Sequence, residues 1–257
     1  MLSINSPCSG ISPFTLSDTL GLPNEIFLHV LSYLDTRAKL SATQVCKTWS
    51  NVFNDWKMWK GATAPLSIGT DMKEIVPILK KRRINRVHIS PKQSQELKVV
   101  EEGVHEDFTE LCNLTRMMSN SLFSLDLTDL YVPHNKLRQA LTPTMSNLTE
   151  LILSNRPLYN TTTWQMLAAR CGKLEKLVCC GNLMRNCDIT IMGIKMQNLR
   201  ELDLSLGSSA TLSWFNNSSA PVVQSHMPKL TKLNLSTCRI TRMPDWFHSH
   251  NLNFCKS

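Results

Sequence analysis

Glycine is scarce, with nine residues in 257, and no Gly-x-x-x-x-Gly-Lys sequence occurs, so the chain has no loop that could cradle the phosphates of a nucleotide. Long apolar runs are also missing, since none approaches the ~18 residues that a membrane-crossing helix needs. Residues 1–20 lack the basic start and continuous apolar stretch of a secretory signal. Nine cysteines, an odd number, are scattered from Cys8 to Cys255 with no Cys-x-x-Cys pair. The densest group, Cys171, Cys179, Cys180 and Cys187, has no histidine close in sequence, so these thiols read as reduced core fillers and no metal site is expected. The expected compartment is cytoplasmic, nuclear or both. None of the seven histidines stands at a recognisable catalytic spacing from a Cys, Ser or carboxylate, so the chain is expected to be no enzyme and to carry no cofactor. Six Asn-x-Ser/Thr sequons, at Asn113, Asn147, Asn160, Asn216, Asn217 and Asn234, would suit a secreted protein; without an entry signal they read as chance in a chain rich in these residues.

Charge is abundant in one sign only: 28 Lys and Arg against 20 Asp and Glu give +8. The sharpest basic cluster is Lys80, Lys81, Arg82 and Arg83, with Arg86 close by. No aromatic residue is interleaved with it, so a solvated helix end that complements the helix dipole is favoured over nucleic-acid contact.

The segment Leu22–Trp59 carries three short apolar patterns. Leu22, Ile26, Val30, Leu31 and Leu34 recur at helical spacing, and Pro23 sits where a helix start tolerates a missing donor. Asp35 and Thr36 can cap a second helix carrying Ala38 and Leu40, and Val45, Cys46, Trp49, Val52 and Phe53 form a third set. About forty residues lie near the lower limit for an independent core, so spare apolar surface should be buried against something else. The ordered set of Leu-Pro, apolar stripe and Val-Cys-Lys-x-Trp resembles the F-box, the docking segment of ubiquitin-ligase substrate receptors. The resemblance implies that Leu22, Pro23, Ile26, Val30, Leu31 and Leu34, with Val45 and Trp49, bind the Skp adaptor, which hangs on a cullin scaffold. Trp59 matches a tryptophan that often closes the motif.

After this segment a Leu-x-x-Leu-x-Leu pattern repeats, beginning at Leu122, Leu148, Leu174, Leu199 and Leu230, with a degenerate earlier copy in Ile84, Val87 and Ile89. The last two apolar positions of each copy lie two apart and so share one face of a short strand. Helical spacing over Asp107–Met118 and Thr162–Cys171 places helices between strands. The array resembles leucine-rich repeats of the ribonuclease-inhibitor-like class. The expected fold is mixed α/β, with parallel strands on a concave face and helices on a convex one. The expected division is a disordered segment over 1–19, an F-box over 20–62, a linker helix region over 63–83 and a solenoid of about six strands over 84–257. A loop is expected at Ser208–Ser219, and Met243–Ser257 supplies too little for another full unit.

Strand residues between the leucines would face the concave side in columns. The first holds Arg86, Ser124, Glu150, Lys176, Glu201 and Lys232; the second holds His88, Asp126, Ile152, Val178, Asp203 and Asn234. The alternating charges of the first column read as a self-compensating ladder, whereas Ile152 and Val178 would be exposed apolar residues at the centre of a substrate face. The F-box resemblance then implies a substrate-recognition subunit of a Skp–cullin–F-box ligase, promoting ubiquitination and degradation of an unknown protein by proximity. Other readings are a scaffold that binds the adaptor without a cullin, a small-molecule receptor and a nucleic-acid-binding protein.

Overall fold

The computed structural model describes residues 24–91, 108–153, 159–180, 186–205, 227–236 and 253–255. Leu22, Pro23 and the loop expected at Ser208–Ser219 lie outside them. The chain divides into two compact units, one made of residues up to Ala62 with Lys81–Ile84, the other of the remainder from Thr63 onward.

The first unit is helical: α1 (Asn24–Ser32), α2 (Thr36–Ala42), α3 (Lys47–Val52) and a 3-10 turn at Trp56–Trp59. Asp35 caps α2 as the sequence suggests, its Oδ1 accepting from the Ala38 N–H at 2.7 Å. Phe27 and Leu31, one turn apart on α1, enter the core with Ala42, Phe53, Met58 and Trp59. Phe53 and Trp59 meet edge to face with centroids 6.1 Å apart, and the buried Trp59 indole donates to the Phe53 carbonyl at 2.6 Å. A type II turn follows, closed by Ala62 N–H to Trp59 O at 2.9 Å. Lys60 at φ −57, ψ 121 is followed by Gly61 at φ 76, a value that favours glycine.

The second unit is a sheet of eight parallel strands whose spatial order is their sequence order. These are β1 (Thr63–Ser67), β2 (Arg86–Ser90), β3 (Ser124–Leu127), β4 (Glu150–Leu153), β5 (Lys176–Cys179), β6 (Glu201–Asp203), β7 (Lys232–Asn234) and β8 (Asn253–Cys255). Helices occupy the five connections from β1 to β6: α4 (Met72–Lys81), α5 (Thr109–Met118), α6 (His134–Ala140), α7 (Thr161–Arg170) and α8 (Asn186–Lys195). One strand face is the core: Val87, Leu125, Leu127, Leu151, Leu177, Cys179 and Leu202 are almost fully buried. Leu111, Leu114 and Met118 of α5 are buried, as are Trp164, Leu167 and Ala168 of α7.

Two features depart from the sequence expectation. The region 63–83 is not helix alone, because β1 stands in it and pairs with β2 from Thr63↔Arg86 to Ser67↔Ser90. Pro65 argues against a strand, but β1 is the edge of the sheet, where a missing N–H can face away from the ladder. At the other end the tail contributes β8, with Phe254 in register with Leu233 although no leucine triad marks it. Among the described residues, 84–257 therefore holds seven strands rather than about six, and β1 adds an eighth before them.

Successive repeats are stitched by one recurrent device. The carbonyl of Phe123 accepts from the N–H groups of both Thr149 and Glu150, that of Thr149 from Glu175 and Lys176, that of Glu175 from Arg200 and Glu201, and that of Arg200 from Thr231 and Lys232, at 2.7–3.0 Å. A further repeated signal precedes the leucines: Met145, Cys171, Met196 and Met227 are buried, and each carbonyl accepts from the leucine N–H three residues on. Several sequon asparagines are also part of the fold. Asn160 caps α7 through the Thr163 N–H at 3.1 Å, and Asn147 donates to Asn120 O at 2.7 Å.

Leu177→Ala is expected to cost about 2–5 kcal/mol, because it opens a cavity in a fully buried layer. Val178→Ala, the next residue on the opposite strand face, should cost less than about 1 kcal/mol. Urea unfolding followed by circular dichroism separates the two.

Candidate functional site

Two surfaces hold the residues singled out in the sequence. On α1 the apolar residues divide: Phe27 and Leu31 turn inward, while Ile26 is 48% exposed and Val30 53%, with Tyr33 in the turn just past the helix at 77%. Ile26, Val30 and Tyr33 fall at i, i+4 and i+7 and therefore share one outward face. Val45, before α3, is 64% exposed. Trp49 is half-buried with its ring edge to face against Phe27 at 5.4 Å, and Leu34 is half-buried as well. Leu31 is 4% exposed and belongs to the core of its own unit. The outward set is apolar surface that the described residues leave uncovered, the type of surface that marks an interaction site.

The basic cluster is organised differently from a solvated helix end. Arg82 lies over the Trp59 ring at 4.4 Å and Arg83 over Trp56 at 4.3 Å, two cation–π contacts within the helical unit. Arg83 ends the helix at φ 53. Arg86 is spent on the sheet. Three of the five cations thus have contacts within the protein.

On the sheet, the columns expected from the sequence coincide with the strand register: Arg86↔Ser124↔Glu150↔Lys176↔Glu201↔Lys232 and His88↔Asp126↔Ile152↔Val178↔Asp203↔Asn234. Glu150 is gripped from both sides, by Lys176 Nζ at 2.9 Å and by Arg86 at 2.9 Å. Arg86 reaches over β3 because the intervening column residue is the small Ser124. Lys232 pairs with Glu201 at 2.5 Å. In the second column Asp203 accepts from Asn234 Nδ2 and from the Ser205 N–H, both at 2.9 Å, and Asp126 accepts from the Thr128 N–H at 2.9 Å. His88 pairs with Asp129 at 3.1 Å, a partner beyond the strand that the column pattern does not include. Strand β1 adds Thr63 and Pro65 to the two columns. Ile152 and Val178 stand side by side and half-buried. An open depression of about 400 Å3 lies over β5–β7, lined by Lys176, Val178, Asp203 and Asn234 among others.

The cysteines belong to this architecture. Burial pushes the Cys171 thiol up to about 12 and the Cys179 thiol well above its ordinary value, so both are protonated and weakly nucleophilic near neutral pH. Cys180, half-buried at the edge of the face, lies 3.6 Å from Asp203 and 3.3 Å from the Ser205 hydroxyl. No cluster of three or more potential metal ligands occurs among the described residues.

Burial pushes the Glu150 carboxyl up, but hydrogen bonds from Lys176 and Ser124 and the charges of Lys176 and Arg86 outweigh it and hold the group below the ordinary glutamate range. A carboxyl depressed in the folded state stabilises above its unfolded value, and that contribution is lost as pH falls through the folded one. Glu150→Gln should therefore lower the Tm near neutrality, with the gap from the parent closing as pH falls from the ordinary glutamate range through the depressed folded value. A gap that stays constant over that range would show that the grip on Glu150 adds no pH-dependent stability.

Residues 19–62 match the F-box-like family, a span that takes in all three helices of the first unit and the 3-10 turn. No curated protein matches the chain. The outward apolar face of α1 and the exposed Val45 thus belong to an F-box-like domain, a type that serves substrate recognition by ubiquitin ligases at the level of the family.

Proposed function

We propose that this chain is a non-catalytic substrate receptor of a Skp–cullin–F-box ubiquitin ligase, acting in the cytoplasm, the nucleus or both. The observation that carries the reading is the F-box-like match over 19–62 on a unit whose α1 leaves Ile26, Val30 and Tyr33 uncovered. The adaptor covers this surface, with Leu22, Pro23 and Val45 extending the contact and Leu31 supporting it from beneath. The eight-stranded parallel sheet is a leucine-rich-repeat solenoid of the ribonuclease-inhibitor-like class, and its column face holds the substrate. What supports this part is the recurring leucine triad, strand order equal to sequence order and helices in the connections. The reaction needs no nucleophile here. Joining two binding surfaces in one chain raises the effective concentration of substrate lysines near a conjugating enzyme borne by the cullin.

Affinity capture of the full chain beside an Ile26→Asp, Val30→Asp variant tests the reading. The parent is expected to recover the Skp adaptor with cullin, and the variant to bind at least about thirtyfold more weakly, the roughly 2 kcal/mol of an interface hot spot. Unchanged circular dichroism shows that the variant is folded; Leu31→Ala is unsuitable, because it strikes the core. Adaptor without cullin would point to a scaffold, and equal recovery by both chains, or by neither, sinks the proposal.

A further inference from the structure

The column face carries a specific asymmetry of charge. In its first column every ionised group has a partner: Arg86 and Lys176 share Glu150, and Lys232 holds Glu201. In its second column Asp126 and Asp203 have none, since no cation lies within ion-pairing distance of either among the described residues. Their partners are neutral donors. Asp126 accepts from the Thr128 N–H and hydroxyl, and Asp203 from the Ser205 N–H, the Asn234 amide and the Cys180 thiol. Such bonds fix the direction of the carboxylates and leave their charge uncompensated. Between them, in the same column, lie the only apolar pair, Ile152 and Val178. A chain of net charge +8 thus presents an acidic, apolar-centred strip on one face.

The spacing of this strip selects a ligand shape. Asp126 on β3 and Asp203 on β6 are three strand spacings apart, roughly 14 Å at ~4.8 Å per strand. An extended peptide rises ~3.4 Å per residue and turns alternate side chains to one side, so residues i, i+2 and i+4 cover the same distance facing the same way. We infer that the column face binds an extended peptide lying across the strands, with a basic side chain at i and i+4 on Asp126 and Asp203 and an apolar side chain at i+2 on the Ile152–Val178 step. The inference deepens the reading of this face as the one that holds substrate. It does not depend on adaptor docking.

The experiment is a fluorescence-anisotropy titration of the full chain with labelled peptides. Lys-Ser-Leu-Ser-Lys is the probe; Glu-Ser-Leu-Ser-Glu reverses charge, Lys-Ser-Ser-Ser-Lys removes the anchor, and Lys-Lys-Leu-Ser-Ser keeps composition but breaks spacing. The probe is expected to bind about tenfold more tightly than each control, and less tightly as salt rises. Asp126→Asn keeps the single oxygen that accepts from Thr128, whereas Asp203→Asn keeps the acceptor for the Ser205 N–H and gives up the bond from Asn234; with unchanged circular dichroism showing that each is folded, each should weaken the probe about tenfold. Equal affinity for the broken-spacing peptide, tighter binding of the acidic one, no effect of either substitution, or no saturable binding of any probe would each overturn the inference. Failure of adaptor capture alongside intact peptide discrimination would remove the ligase reading and leave this one standing.

Discussion

The in-register stitching of the parallel strands is the constraint on which the rest of the sheet depends. A single carbonyl ahead of each of β2 to β6 accepts two N–H groups from the next repeat, which locks the register at those five steps. A slip of one residue would turn Leu125, Leu151 and Leu177 to solvent and drive Asp126, Ile152 and Val178 into the core. The buried leucine layer and the fixed carbonyls therefore specify the same alignment from two sides. Functional columns follow without further cost, because any residue between the leucines is automatically aligned with its counterparts in neighbouring repeats.

The helical unit solves a different problem. It is small, and it fills its core with large rings: Phe53, Trp59 and the Trp59 hydrogen bond close one end, while Phe27 and Trp49 meet at the other. Once Phe27 and Leu31 have entered that core, the geometry of α1 leaves Ile26, Val30 and Tyr33 pointing away. The surplus is apolar and lies on one face, so its burial by a partner is favoured in the same way as core burial. Arg82 and Arg83 stack on Trp59 and Trp56 of the same unit and cover part of their rings.

How legible each part was in the sequence depends on whether it obeys a period. The leucine triads and the columns between them repeat at two-residue alternation, and the register reproduces them residue for residue. The cap at Asp35 is equally local and equally readable. Strand β1 was hidden because Pro65 reads as a strand breaker until the edge position is known, and β8 because it has no leucine triad. Helix α6 was not singled out because only Leu137 and Ala140 of its seven residues are buried, too few apolar positions to show a helical period. The apolar stripe of α1 was visible, but helical spacing alone does not say which half faces inward, so Leu31 could not be told from Ile26. The tryptophan–arginine stacks and the reach of Arg86 to Glu150 join residues distant in sequence, and no local pattern carries them.

The two surfaces differ in the physics by which they can discriminate. Apolar burial on α1 gives affinity with little directionality, which suits a constant partner shared by many receptors. On the column face three cations, Arg86, Lys176 and Lys232, share two carboxylates, Glu150 and Glu201, so the first column keeps a net +1 held within its ion pairs. Asp126 and Asp203, which no cation meets within ion-pairing distance among the described residues, flank Ile152 and Val178, so a like charge placed beside them is penalised rather than merely unrewarded. The first column thus ties the strands together through its ion pairs, and the second is the one in which acidic groups stand without them.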